Sequence, residues 1–145
     1  MKVLVYGSKG WIGKQFVNIL KQNNINYIEG NSRVDNNNQL VEEINNSNPT
    51  HIISFIGRTH GEINGQIYKT IDYLEQENKL IENVRDNLYS PISLAFICQK
   101  KNIHLTYLGT GCIFKYDTNH PFAKEINGFK EKDLPNFFGS SYSIV

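Results

Sequence analysis

The chain has 145 residues, of which 39% are hydrophobic and 20% charged, and a formal net charge of +1, so it is one domain by length with enough apolar content for a real core. Lysines and acids are interspersed, which leaves no basic stripe for a nucleic-acid surface, and no apolar run approaches a membrane span. Two cysteines, Cys98 and Cys112, are too few and too unpatterned for a disulfide framework or a zinc site; the chain reads as a cytoplasmic protein of a reducing compartment.

The apolar run Val3-Leu4-Val5-Tyr6 predicts a buried strand and is too short for a secretory leader. It leads into Gly7-Ser8-Lys9-Gly10-Trp11-Ile12-Gly13, a phosphate cradle: glycines permit the tight turn and let a pyrophosphate approach free backbone N–H groups at a helix N-terminus. The spacing is GxxGxxG rather than the usual GxGxxG of dinucleotide-binding domains, and its meaning comes from the strand before it and the helix after it. Trp11 reads as a packing residue of this loop. Ile12, Phe16, Ile19 and Leu20 recur on one helical face that closes near Gln22-Asn23-Asn24. A second strand spans Asn26 to Gly30. Lys9 and Arg33 flank the expected adenosine-ribose position, whereas Glu29 lies inside the strand, a pattern that favours a 2′-phosphate and therefore NADPH, with NADH the alternative.

Leu40, Val41 and Ile44 mark a short helix ended by Asn48-Pro49, and the strand His51 to Ile56 follows, with Gly57 bringing backbone up to the cofactor. The polar, glycine-punctuated segment Arg58 to Ile71 reads either as a surface loop that touches ligand or as a disordered excursion. A long helical stretch runs from Asp72 to Lys101, with Pro91 bending or interrupting it, and Ile103 to Leu108 forms a fourth strand. The alternation predicts an α/β fold, a Rossmann-type doubly wound parallel sheet in the order 3-2-1-4. Residues 1–145 form a single NAD(P)-binding domain. From Gly109 the signals fade into turns, a long functional loop that leads to Ser140-Ser141-Tyr142-Ser143 and to the start of another helix.

The glycine loop, Asn87 in Arg85-Asp86-Asn87, and the strings Thr110 to Pro121 (TGCIFKYDTNHP) and Gly128 to Ser143 (GFKEKDLPNFFGSSYS) together resemble the extended short-chain dehydrogenase/reductases that act on nucleotide sugars. Among these the chain is most similar to the bifunctional UDP-4-keto-6-deoxyglucose 3,5-epimerase/4-reductases that make UDP-rhamnose. The resemblance implies that Thr110 and Tyr142 carry the carbonyl chemistry as the first two members of a Ser/Thr…YxxxK set. A free phenol titrates near ~10, so a tyrosine that donates a proton at neutral pH needs positive charge beside it; in the family the lysine four residues on supplies it. Residue 145 is one short of that position, so the chain is expected to be the N-terminal half of such an enzyme, with the C-terminal part missing, and to bind cofactor without turnover.

By itself Cys112 reads as a small buried hydrophobe; the resemblance turns it into a proton-exchange group for C3 or C5 of the sugar. Asn87 is expected mid-helix, holding an active-site water or main chain beside the cofactor. Glu131 and Asp133 are expected to order the loop near substrate. His51, His60, His104 and His120 share no ligand spacing, so no metal is assigned. Two features depart from the family: the long Arg58 to Ile71 segment, and Ser54-Phe55-Ile56-Gly57 in place of an Asn-Ala-Ala end to strand three. The implied substrate is a UDP-4-keto-6-deoxy sugar, and a homodimer is allowed. The alternatives are a simple dTDP-4-dehydrorhamnose-type 4-keto reductase, against which Cys112 speaks, and a non-catalytic NAD(P)-binding regulatory domain.

Overall fold

The computed structural model describes residues 1–123 and 127–145. At its centre is β1 (Lys2–Tyr6), whose Val3, Leu4, Val5 and Tyr6 are all buried. Successive side chains of a strand face opposite ways, so β1 feeds two cores. Val3 and Val5 pack with Val17 and Leu20 of α1 (Trp11–Gln22). Leu4 and Tyr6 pack on the other face with Leu40 and Ile44 of α2 (Asn37–Ser47). Between those helices lies β2 (Asn26–Glu29), parallel to β1 with Lys2 opposite Asn26 and Val5 opposite Glu29.

After α2 the chain does not continue outward past β2. Strand β3 (His51–Ser54) pairs with the other edge of β1, Val3 opposite His51 and Tyr6 opposite Ser54, and β6 (His104–Tyr107) closes the sheet beside β3. The four-stranded order is therefore β2-β1-β3-β6, a correction to the expected 3-2-1-4; the doubly wound parallel sheet itself is as expected. The physical reason is legible in burial. Asn26 and Glu29 at the two ends of β2 are exposed, which suits an edge strand and not an interior one, whereas Ile52 and Ser54 of β3 are fully covered. The point at which strand order reverses thus lies between β1 and β3.

The segment after β3 is neither a plain loop nor a disordered excursion. It forms an antiparallel hairpin, β4 (Gly61–Ile63) with β5 (Gln66–Tyr68), turned by Asn64 and Gly65, both at positive φ (51° and 83°). Asn-Gly is the pair that a two-residue hairpin turn favours. The buried ring of Tyr73 anchors it: a Cβ added to Gly61 would stand 2.4 Å from Tyr73 Cζ.

The expected helix from Asp72 is likewise corrected. A 3-10 turn (Ile71–Tyr73) and a loop precede α3 (Leu80–Asn83). A π-helical turn (Val84–Tyr89) then leads into α4 (Ser90–Lys101). Pro91 sits in the first turn of α4, directly after the π-helical turn that interrupts the α-helical repeat, where its missing N–H makes no bond back to the preceding turn. The Ser90 hydroxyl donates to the Arg85 carbonyl five residues back at 2.8 Å, which fits the widened turn. Beyond β6 the described residues are irregular as far as α5 (Ser141–Ile144). Every non-glycine residue at positive φ among the described residues is an asparagine, two of them closing α2 and α4, the left-handed conformation that helix ends and turns need. No helix of the described residues is long and apolar enough to cross a membrane.

Candidate functional site

Strand-end loops and the N-terminus of α1 meet at the carboxyl edge of the sheet, around a cleft of ≈ 770 Å³ lined by the glycine loop, Ile56, Gly57, Asn87, Tyr107, Thr110 and Tyr142. A smaller cleft of ≈ 280 Å³ adjoins it across Ile56, Gly57, Thr59 and His60 and reaches Arg33, Asp35 and Asp86. Ligands of doubly wound sheets bind at this edge, where strand order reverses.

Backbone packs so tightly in the glycine loop that side chains are excluded. Gly7 has φ +75°, and a Cβ there would meet the Phe55 carbonyl carbon at 2.9 Å. A Cβ on Gly13 would stand 2.2 Å from the Gly7 carbonyl oxygen. The loop thereby abuts the end of β3 on one side and the first turn of α1 on the other. Gly10 is the N-cap of α1, no side chain caps it, and its first turn carries no acid. Open N–H groups and a positive helix end therefore face the cleft. Ile12 and Trp11, the latter 80% exposed, sit on the rim, so Trp11 is a surface residue and not the packing residue expected. Lys9 is exposed in the same loop and lines neither cleft.

Arg33 forms a two-pronged ion pair with Asp35, Nε to Oδ1 and Nη2 to Oδ2, both 2.9 Å. Behind it Asp86 receives Arg85 at 2.7 Å and Arg58 at 3.1 Å. The Arg33 hydrogen bond, working against desolvation, holds Asp35 below the usual carboxylate range. Desolvation would raise Asp86, but its two guanidinium partners outweigh that and lower it. The wall of the smaller cleft is thus a fixed lattice of alternating charge.

Asn87 lies on the π-helical turn and holds main chain: its Oδ1 accepts the Arg58 N–H at 2.7 Å and its Nδ2 donates to the Arg58 carbonyl at 3.0 Å. It also donates to Asn83 Oδ1 at 2.8 Å, and Asn83, wholly buried, donates on to the Ser141 hydroxyl at 3.1 Å. This amide ladder ties the floor of the cleft beside Gly57 to the helix that carries Tyr142. Neither Asn83 nor Ser141 carries a sequence signal, because their partners are distant in the chain. Tyr107 is a second phenol in the cleft; desolvation and the neighbouring Tyr142 push it above the ordinary tyrosine value.

Thr110 lines the cleft and its hydroxyl accepts the Cys112 N–H at 3.1 Å. Cys112 is exposed beside the cleft and is not part of its lining, whereas buried Cys98 packs in the core, its thiol pushed up to about 11 by burial. The irregular segment around them is folded by polar side chains. Asp117 accepts from the N–H groups of Asn119 and His120, from the His120 ring at 3.0 Å, and from Asn136 at 2.9 Å. Phe129 is stacked between Phe114 and His120, at 4.4 Å and 4.0 Å. Asp133 reaches His120 Nε2 at 3.7 Å, while Glu131 is exposed. The N–H groups of Asn136 and Phe137 both donate to the Ile113 carbonyl at 3.1 Å, which fixes the chain next to Cys112.

A glycine-lined helix N-terminus at the reversal of a doubly wound parallel sheet is the architecture of the Rossmann-type fold. Residues 1–136 match the family model described as the RmlD substrate binding domain, and the chain belongs to that family. It is 55% identical to the UDP-rhamnose synthase of Acanthamoeba polyphaga mimivirus, whose crystal structure superposes with a TM-score of 0.86 over 99% of this chain and 48% of that one. It is 37% identical over 140 residues to the bifunctional dTDP-4-dehydrorhamnose 3,5-epimerase/dTDP-4-dehydrorhamnose reductase of Arabidopsis thaliana, spanning 97% of this chain and 43% of that protein. The fold also matches the Bacillus anthracis dTDP-4-dehydrorhamnose reductase, crystallised with NADP, at 19% identity and a TM-score of 0.76 over 99% of this chain and 45% of that one. The chain therefore spans less than half the length of these relatives.

Proposed function

We propose that this domain binds NADPH and presents one wall of the active site of an epimerase/reductase for a nucleotide-linked 4-keto-6-deoxy sugar, with UDP as the nucleotide, on the route to UDP-L-rhamnose. The observation that carries the reading is that an uncapped helix N-terminus, Thr110 and Tyr142 share one cleft. The glycine loop fits a dinucleotide because Gly7 and Gly13, where a Cβ would strike the main chain of Phe55 and of Gly7, let the end of the strand and the start of α1 pack backbone to backbone with the open N–H groups toward the cleft. Gly7, Gly10, Trp11, Ile12 and Gly13 hold it there, Gly57 and Asn87 shape the floor, and the outward guanidinium of Arg33, its fork set by Asp35, meets the 2′-phosphate. When bound, the reduced nicotinamide supplies hydride for C4 of the sugar.

The chain's own groups manage protons. Tyr142 donates its phenolic proton to O4 as that oxygen gains negative charge, and Thr110 hydrogen-bonds the same oxygen. The Cys112 thiol, carried two residues past Thr110 on a chain pinned by Asn136, exchanges the acidic proton α to the ketone at C3 or C5. The same reading takes the protein to be cytoplasmic and allows a homodimer. The test is made on the full gene product with UDP-4-keto-6-deoxyglucose in deuterium oxide. Parent protein is expected to exchange C3 and C5 protons and to oxidise NADPH, and Cys112→Ser to lose exchange while still reducing a pre-epimerised sugar. Exchange at the parent rate by the serine variant would remove Cys112 from the mechanism, whereas a parent protein that reduces the 4-keto sugar without exchanging C3 and C5 protons would be a simple 4-keto reductase.

A further inference from the structure

The phenol of Tyr142 enters the cleft from α5, a helix of four residues and far too short to be stable by itself. Ser140 caps it, its hydroxyl accepting the Ser143 N–H at 3.1 Å. The two N–H groups that Ser140 leaves over are taken by one carboxylate from 66 and 67 residues earlier in the chain: Glu75 Oε2 accepts the Ser141 N–H at 3.0 Å and Oε1 the Tyr142 N–H at 3.2 Å. The Ser141 hydroxyl donates to Glu75 Oε1 as well, at 2.9 Å, while it accepts from Asn83. Desolvation would raise the Glu75 carboxyl, but the hydrogen bonds from Ser141 and Tyr142 outweigh that and keep it ionised below its ordinary range. A charged acceptor at a helix start binds its N–H donors more strongly than a neutral one.

We propose that Glu75 is the positioning residue for Tyr142, clamping the first turn of α5 so that the phenol stands over the reacting carbonyl; the proposal rests on the reading of Tyr142 as proton donor. Glu75 lines neither cleft. Its effect passes through the backbone of Tyr142 and, by way of Ser141 and Asn83, is tied to Asn87 and the cleft floor. Misplacing a reacting group by about an ångström costs up to ~100-fold in rate, so a clamp of this kind acts on turnover and leaves cofactor affinity alone.

The test compares parent, Glu75→Ala and a control at the exposed neighbour Glu77→Ala in the full gene product, with tyrosines labelled at 13Cζ. The Tyr142 resonance, assigned through Tyr142→Phe, reports the phenol whether or not the protein turns over. In Glu75→Ala the Tyr142 resonance and its response to NADPH are expected to move while that of buried Tyr6 stays. The kcat for sugar reduction should fall about tenfold, with the Kd for NADPH within about twofold of parent. Should Glu75→Ala fail to fold, Glu75→Gln carries the test, because its amide NH2 confronts the Ser141 N–H and produces the same displacement. An unmoved Tyr142 resonance overturns the proposal regardless of activity. A displaced Tyr142 in a protein whose parent reduces no 4-keto sugar keeps the clamp and overturns the reading of Tyr142 as proton donor.

Discussion

The glycine loop and the segment from Gly109 to Gly139 flank the same cleft and are held in opposite ways. The first is backbone against backbone: Gly13 stacks on the Gly7 carbonyl, Gly7 on Phe55, and the loop is fixed by β1, whose Val3, Leu4, Val5 and Tyr6 are all buried. The second has no helix or strand among its described residues, and its shape comes from side chains: Asp117 as a multiple acceptor, Asn136 pinning Lys115, Phe129 between Phe114 and His120. The difference teaches that much of the long stretch from Thr110 to Ser143 encodes a scaffold. Asp117, His120, Phe129 and Asn136 hold the loop, and of the described residues in that stretch Thr110 and Ile113 to one side, and Pro135, Phe138, Tyr142 and Ser143 to the other, reach the cleft.

The comparison breaks most visibly at Gly13. Gly13→Ala places a methyl group 2.2 Å from a carbonyl oxygen in the first turn of α1, and the loop has to open to admit it. NADPH affinity is expected to fall by roughly 100-fold or more, measured by calorimetry, with circular dichroism showing the sheet retained. Next in size is Asn83→Ala, which strips the buried partner from Asn87 and Ser141 together. About 2 kcal/mol of stability should be lost, read from urea denaturation, whereas an unchanged midpoint would mean that the ladder contributes nothing. Arg33→Ala sharpens the picture of the smaller cleft. NADPH binding should weaken about tenfold relative to NADH, and an equal loss for both cofactors would separate Arg33 from the 2′-phosphate.

The smallest effect belongs to the loop. Asn136→Ala should accelerate proteolytic cleavage between Gly109 and Gly139 a few-fold, on the order of 3-fold, with the thermal midpoint of the core unchanged. Acid acts in the same place. Hydrogen bonds from the His120 backbone and ring hold Asp117 below its ordinary pKa, so its folded-state pKa is the lower one. Its contribution is complete above the ordinary aspartate range and is lost as pH falls through the depressed value. Amide protection across the loop, taken relative to the intrinsic exchange rate at each pH, should therefore fall on acidification through that window and not on going alkaline.

How far the sequence carries the fold follows from the same contrast. Apolar periodicity and turn glycines, which are local, gave β1, the cradle, α1 and the sites of the later strands. The order of the strands depended on which edge of β1 receives His51 to Ser54, and the polar ends of Asn26 to Glu29 already argued for an edge strand. Ile63-Asn64-Gly65-Gln66 is a hairpin signal that polarity and length obscured. The positions of Thr110, Tyr142 and the glycines on one cleft were legible through spacing and resemblance. Glu75, Asn83 and Tyr107 were not, because nothing local distinguishes them from a solvated acid, a helix amide and a strand aromatic; their roles exist only through partners tens of residues away.

The most direct measurement is a titration of the folded chain with NADPH and with NADH, followed through the single tryptophan, Trp11, which stands 80% exposed on the rim of the cleft. Saturable quenching by both cofactors, tighter for NADPH and abolished by Gly13→Ala, is the result expected of a dinucleotide site built on the glycine loop. A chain that is folded by circular dichroism and leaves Trp11 unquenched by either cofactor would contradict it.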